Sequence, residues 1–141
     1  MAFSARKPSR LSLAGIPQHN ESLGSPKAPV RMLPFNDPQS PFSRLWQVKI
    51  LPALVRKYVE TGELQIQWHG FAVLGPASVA GEDFIAAAGL QNHLWDVLDS
   101  IMVHQGEENS GWLWLPSMRK ALSGQERGRL KIEDPPITLK R

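Results

Sequence analysis

Phe35-Asn36-Asp37-Pro38-Gln39-Ser40-Pro41-Phe42-Ser43 is the stretch whose reading decides the fold. Before it runs Val30–Phe35, an apolar segment that reads as a short buried strand. Pro34 opposes that reading, because proline donates no ladder hydrogen bond and is disfavoured in a central strand. Asn36-Asp37-Pro38 is turn chemistry. Ser40-Pro41 then signals a helix start, with serine as N-cap and proline at the first helical position. The stretch is therefore a strand, a tight turn and a helix entry.

The helix so begun runs from Phe42 to about Glu60. Leu45, Trp46, Val48, Ile50, Leu51, Leu54, Val55, Tyr58 and Val59 recur largely at three- and four-residue spacing. Pro52 should kink or split it. Thr61-Gly62 ends it. Leu64, Ile66 and Trp68 alternate with Gln65, Gln67 and His69, the period of a strand with one buried face. Gly70 to Pro76 reads as a loop. Ser78 can cap a helix to about Ala88, weakened by Gly81. Leu90 to Val103 reads as a second amphipathic helix, with Leu94, Trp95, Val97, Leu98, Ile101 and Met102 in its apolar set. Strand, helix, strand, helix, helix points to an α/β layer. Two strands make a meagre sheet, since about four to six are usual.

On either side the pattern decays. Residues 1–29 are rich in Ser, Pro, Gly and Lys and read as an extended, poorly ordered arm. Residues 30–116 form the expected partial domain. Residues 117–141 offer one short helix near Met118–Leu122 and then a basic tail expected to be disordered. Trp46, Trp68 and Trp95 sit in periodic segments and are assigned to the core. Trp112 and Trp114 lie where the fold signal fades and suggest a contact surface or an unfinished core.

Composition excludes several chemistries. The 141 residues include no cysteine, so disulfides, thiolate metal sites and cysteine nucleophiles are absent. The net charge of +3 is uneven. Residues 1–14 carry Arg6, Lys7 and Arg10 with no acid, and residues 117–141 carry seven basic and three acidic residues. The centre is acidic, which argues against specific nucleic-acid binding on a folded face. Salt-sensitive binding of acidic partners by the two basic ends is a weaker reading. No apolar run approaches the roughly 20 residues of a membrane span. Leu11 to Ile16 is too short for the apolar region of a secretion signal. As written, the chain reads as cytoplasmic. Asn20-Glu21-Ser22 fits a glycosylation triplet, a pattern common by chance.

Ser40, Pro41, Phe42 and Ser43 are the candidate site positions. Two serines at the ends of a four-residue stretch, with proline second, have the layout of a redox Cys-x-x-Cys at a helix start. Read on their own, Ser40 is an N-cap and Ser43 a first-turn residue. A serine hydrolase would need a histidine base and an acid, and neither His69 nor His93 is tied to these serines by spacing. His19, His69, His93 and His104 show no metal-ligand spacing. Asp37 is expected to make a turn or cap contact, and Glu107-Glu108 to be a solvated loop pair. No phosphate-cradling glycine motif is present. No cofactor and no metal are expected.

The same residues resemble a known family. Gly15-Ile16-Pro17-Gln18-His19 and Leu23-Gly24-Ser25-Pro26-Lys27-Ala28-Pro29-Val30 look like the entry to bacterial DsbA-like thiol–disulfide oxidoreductases of the thioredoxin superfamily. Phe35 to Ser43 looks like their F-x-D-x-x-C-P-[FY]-C motif. Leu51-Pro52-Ala53-Leu54, Tyr58-Val59 and Thr61-Gly62 are similar to the first helix and its exit. Gly75-Pro76, Ser78, Ala88-Gly89-Leu90-Gln91-Asn92 and Leu94-Trp95 resemble the inserted helical subdomain. Gln105 to Trp112 completes the likeness. It implies a thioredoxin-like α/β fold with an inserted helical subdomain, incomplete because the family's cis-proline loop, later strands and final helix have no visible counterpart. Ser40 and Ser43 stand at the two cysteine positions, so the family's activity is expected to be absent. What remains is binding of extended polypeptide or a partner protein near Ser40–Ser43. The alternative is a degenerate or truncated gene product with no independent function. The resembled family is extracytoplasmic, against the cytoplasmic reading of the chain as written.

Overall fold

Hydrogen bonding of the short strands sets the architecture. The computed structural model describes residues 11–103 and 105. Six strands are described: β1 (Gln18–His19), β2 (Ser22–Leu23), β3 (Val30–Met32), β4 (Phe35–Asn36), β5 (Leu64–Gln67) and β6 (His69–Gly70). The larger sheet has the order β1-β2-β5-β3, and β4 pairs with β6 beside it. β2 is antiparallel to β5, whereas β3 is parallel to it with Val30 opposite Leu64. A parallel neighbour needs a crossover, and the long helix α1, residues 41–59, supplies it.

The strands missing from the sequence reading come from the supposed arm. From Leu11 onward, residues 1–29 are not an extended appendage. β1 and β2 form a hairpin turned by Asn20 and Glu21, with Asn20 at φ 50°. Asparagine tolerates that left-handed geometry. Leu13 and Leu23 lie in the core. The Glu21 carbonyl accepts from Trp68 N–H at 2.9 Å and from Trp95 Nε1 at 3.1 Å. Such short strands carry little periodicity, and only long-range pairing defines them.

Val30–Phe35 is one strand by composition and two in the fold. Among the described residues it lies at the sheet edge, with Val30 56% and Phe35 64% exposed. It is therefore not the buried strand expected from its apolar run. Pro34 divides it. Its carbonyl accepts from His69 N–H at 3.1 Å. Its nitrogen has no hydrogen to return, and the ladder breaks there.

α1 spans residues 41–59 without a break. Its α-helical parts, Pro41–Leu45 and Leu51–Leu54, alternate with π-helical turns at Trp46–Ile50 and Val55–Val59. Pro52 does not split it. The Leu51 N–H reaches back five residues to the Trp46 carbonyl, a widened turn that makes room for the proline ring. Leu51, Val55 and Val59 form the buried stripe and share one core with Leu23, Leu64 and Ile66. Full burial of one such side chain is worth about 2 kcal/mol.

Two further helices, α2 (Pro76–Gly89) and α3 (Leu94–Val103), pack on each other. α3 also packs on the first π-helical turn of α1. Arg44 Nε donates to the Met102 carbonyl at 2.9 Å. Trp68 and Trp95 are buried and meet edge to face at 6.3 Å. Trp46 is half-buried against the same core. Leu90, placed by its sequence at the start of the last helix, is 81% exposed in the turn before it. His104, Glu107, Glu108, Trp112, Trp114, Met118–Leu122 and the basic tail lie outside the described residues. Among the described residues no helix is long and apolar enough to cross a membrane.

Gly24 shows how closely the hairpin is pressed to the core. Its φ is +102°, and a Cβ there would stand 2.8 Å from the Leu64 carbonyl oxygen and 2.9 Å from Val59 Cγ1. The backbone oxygen is held in the sheet and cannot retreat. Gly24→Ala should lower stability by about 2 kcal/mol or more. Thermal unfolding followed by circular dichroism checks this; an unchanged melting temperature would contradict the packing.

Candidate functional site

The entry to α1 is built by reciprocal hydrogen bonds. Ser40 has the extended conformation of an N-cap, with φ −73° and ψ 125°, and its Oγ accepts from Ser43 N–H at 3.3 Å. Pro41 occupies the first helical position. Ser43 is buried, and its Oγ accepts from Asp37 N–H at 3.1 Å. Ser40 N–H donates to the Asp37 carbonyl at 3.0 Å. Both hydroxyls therefore act as acceptors that close the turn. Gln105 Nε2 closes it from outside, donating to the Pro38 carbonyl at 2.7 Å and the Ser40 carbonyl at 3.1 Å.

Phe42 is 81% exposed at this same helix start. Leu45, Val73 and Leu74 are exposed as well. Proline at 41 and a capping serine at 40 oblige the chain to enter the helix here, and Phe42 is on the outer side of its first turn.

Behind the turn lies Asp37, which is 4% exposed. Its Oδ1 accepts from Gln39 N–H at 2.8 Å and from the Ser78 hydroxyl at 2.7 Å. Its Oδ2 accepts from Val73 N–H at 2.8 Å and Leu74 N–H at 3.0 Å. Burial alone would raise its pKa, but the donors from Ser78, Gln39, Val73 and Leu74 outweigh burial and hold it below the ordinary value. The turn contact expected of Asp37 is present, and three partners distant in sequence are added to it. Ser78 does not cap α2, which begins at Pro76 with Gly75 as its N-cap. Instead Ser78 is fully buried and binds Asp37.

Glu82 is the site residue that sequence reasoning missed. It lies four residues after Ser78 and three before Ile85, on the buried stripe of α2, and that spacing was its signal. Its Oε2 accepts from Trp68 Nε1 at 3.3 Å, while Oε1 is buried with no partner among the described residues. Gly70 faces it, and the carboxylate fills the space that a Cβ at position 70 would need. Burial pushes the Glu82 carboxyl up to about 7, opposed by the Trp68 donor and reinforced by the negative charges of Asp37 and Asp83.

The histidines stand apart from the serines. His69 stacks on Phe35 at 5.1 Å, His93 meets Asp96 at 3.3 Å, and His19 meets Asn20 at 3.3 Å. No serine–histidine pair is formed among the described residues. No group of acids and histidines there could hold a metal ion. The arrangement can position backbone and present an apolar surface; it contains no nucleophile with its base.

Comparison with known proteins follows this geometry. A family model described as thioredoxin matches residues 18–134. The probable disulfide bond formation protein D of Bacillus anthracis is 32% identical over 99 residues, which are 66% of this chain and 44% of that protein. Its namesake in Bacillus cereus is 31% identical over 99 residues with the same coverage. The chain thus spans less than half the length of these curated relatives. Among solved structures, oxidised BdbD from Bacillus subtilis superposes with a TM-score of 0.61 at 18% identity, covering 89% of this chain and 65% of that one. Wolbachia pipientis α-DsbA1 superposes with a TM-score of 0.63 at 19% identity, covering 85% and 59%. These structures share the fold.

The two acids should impose opposite pH dependences. Glu82 is raised from 4.5 to about 7 in the folded state, so folding binds a proton between those values. Its stabilisation is whole below 4.5 and is lost as pH rises through about 7. Asp37 is lowered, so its contribution is present above 3.8 and fades as pH falls through its folded value. Melting temperatures across pH 4.5 to 8 should decline more steeply for the wild type than for Glu82→Gln. Parallel curves would reject the burial of this carboxyl.

Proposed function

This chain belongs to the thioredoxin family, and on that premise we propose that it is a DsbA-like member that binds polypeptide without exchanging disulfides. The surface around Ser40–Ser43 is the binding surface in this reading. The observation that carries it is the occupation of both serine hydroxyls. Each accepts a backbone N–H at the helix entry, from Ser43 and from Asp37. Disulfide exchange needs a thiolate to attack a sulfur and form a mixed disulfide. A hydroxyl is a far weaker acid than a thiol and forms no such intermediate. The cysteine-free chain therefore keeps the entry geometry and lacks the reacting atoms.

The binding half of the proposal is supported by exposure. Phe42, Leu45, Val73 and Leu74 put apolar side chains into solvent around a turn that is otherwise satisfied. Apolar groups gathered at one place favour contact with apolar segments of another chain. The central part of the chain is acidic, which agrees with a polypeptide occupant rather than nucleic acid.

Two measurements test this reading. The wild-type chain should show no turnover in insulin reduction or in oxidative refolding of a reduced substrate; turnover would refute it. Ser40→Cys combined with Ser43→Cys should introduce measurable thiol–disulfide exchange, provided near-ultraviolet dichroism shows the tryptophans still fixed. Separately, Phe42→Asp should weaken binding of a reduced, alkylated polypeptide several-fold without lowering the melting temperature. Equal binding by that variant would remove the proposed surface.

A further inference from the structure

The segment that carries Val73 and Leu74 is tied down at both ends and in the middle. At its start Phe71 N–H donates to the Asn36 carbonyl at 2.9 Å. In the middle, Val73 N–H and Leu74 N–H both donate to Asp37 Oδ2. At its end Gly75 leads into α2 at φ +126°, with nothing among the described residues within 4 Å of where a Cβ would stand. That backbone conformation favours glycine, and the space around it lets the joint turn.

α2 is seated by two side chains one helical turn apart. Ser78 donates to Asp37 Oδ1 at 2.7 Å, and Glu82 meets Trp68 Nε1 and the bare backbone of Gly70. Residues at this spacing share one face of a helix, so a movement of Glu82 out of its seat carries Ser78 with it. Asp37 then loses a donor, and Asp37 is what holds the Val73 and Leu74 amides.

The seat suits a neutral carboxyl. Trp68 Nε1 is the donor to Glu82 Oε2, at 3.3 Å, and Oε1 is buried with no partner among the described residues. The charges that act on it there are Asp37, from the turn after β4, and Asp83, on its own helix, both negative. α3, which packs on α2, has its acids engaged elsewhere: Asp96 with Gln18 and His93, Asp99 with the Leu11 amide. His69, next to Gly70 in β6, stacks on Phe35. A second buried anion in this place lacks donors and is repelled by the first.

We propose that the start of α2 is a proton-operated latch: with Glu82 neutral the helix is seated and the Val73–Leu74 segment is held on Asp37, and ionisation of Glu82 lifts residues 76–82 about Gly75 and releases that segment. Seated, Glu82 keeps its proton up to about 7, whereas in water it returns to its ordinary 4.5. The seated state is therefore favoured most below 4.5 and loses ground as pH rises to about 7. Asp37 is held below its ordinary 3.8 and stays charged throughout. One consequence rests on the polypeptide-binding reading: Val73 and Leu74 belong to that surface, so the chain grips its partner in mild acid and loosens above neutrality.

Amide hydrogen exchange of the full chain at about pH 5 and about pH 8 tests the latch. The protection factors of Val73 and Leu74 should fall about ten-fold or more in the wild type over that range, while the amides of β5 stay protected. Glu82→Gln, which keeps an acceptor for Trp68 and every histidine, should hold all of them level. If Glu82→Gln fails to fold, Glu82→Met supplies the uncharged side chain. Protection at Val73 and Leu74 that ignores pH, that falls equally in the uncharged variant, or that falls only together with β5 would overturn the proposal. Binding of reduced, alkylated insulin B chain at the same two pH values should weaken several-fold in the wild type and not in the uncharged variant. Equal binding while the amides are released would overturn the gating of the surface. A chain that binds this peptide at neither pH, yet loses protection as expected, would refute the polypeptide-binding reading and uphold the latch.

Discussion

The Asp37 carboxylate joins four separate parts of the chain. It stands at the end of β4, binds its own turn through Gln39, holds the loop through Val73 and Leu74, and holds α2 through Ser78. Its own amide anchors the first turn of α1 through Ser43. A buried carboxylate is costly unless its oxygens are saturated, and here each oxygen accepts two hydrogen bonds. The charge therefore holds three backbone amides and the Ser78 hydroxyl at once. Loss of any one partner would leave a buried anion short of a donor, so the site, the loop and the helical subdomain are linked through a single side chain.

Glu82 is the contrasting case. It lies on the same helix as Ser78, but its surroundings are Trp68 and the bare backbone of Gly70. With one weak donor and, among the described residues, an unpartnered oxygen, it holds its proton up to about pH 7. Two acids at one helix–sheet junction are thus shifted in opposite directions, Asp37 down and Glu82 up to about 7. The difference comes from the number of donors each finds.

The serines complete the picture of a helix entry that serves structure. In the family's layout these positions carry sulfur, and the helix start lowers the pKa of the thiol. In this chain the amides of Asp37 and Ser43 bind hydroxyl oxygen there. Ser43 sits between Asp37 and the helix, so it supports the carboxylate network. The exposed Phe42 is left as the outward feature of the turn.

Local rules were enough for what lies within a few residues in sequence. The Ser40-Pro41 helix start, the amphipathic stripe of α3, the end of α1 near Gly62 and the absence of thiol chemistry are all legible from residue type and spacing. The motif order from Gly15 to Trp112 carried the family likeness. Tertiary structure decided the rest. Gln18–Leu23 has no usable periodicity and became two strands because β5 offered it a ladder. Val30–Phe35 is apolar apart from Arg31, yet its exposure follows from its place at the edge of the described sheet. Pro52 sits in a continuous helix because π-helical turns open around it. Asp37 and Ser78, 41 residues apart, meet only when α2 docks on the sheet. Propensity acts through neighbouring residues, whereas edge position, burial and donor count depend on which distant segments arrive, and no local pattern specifies that.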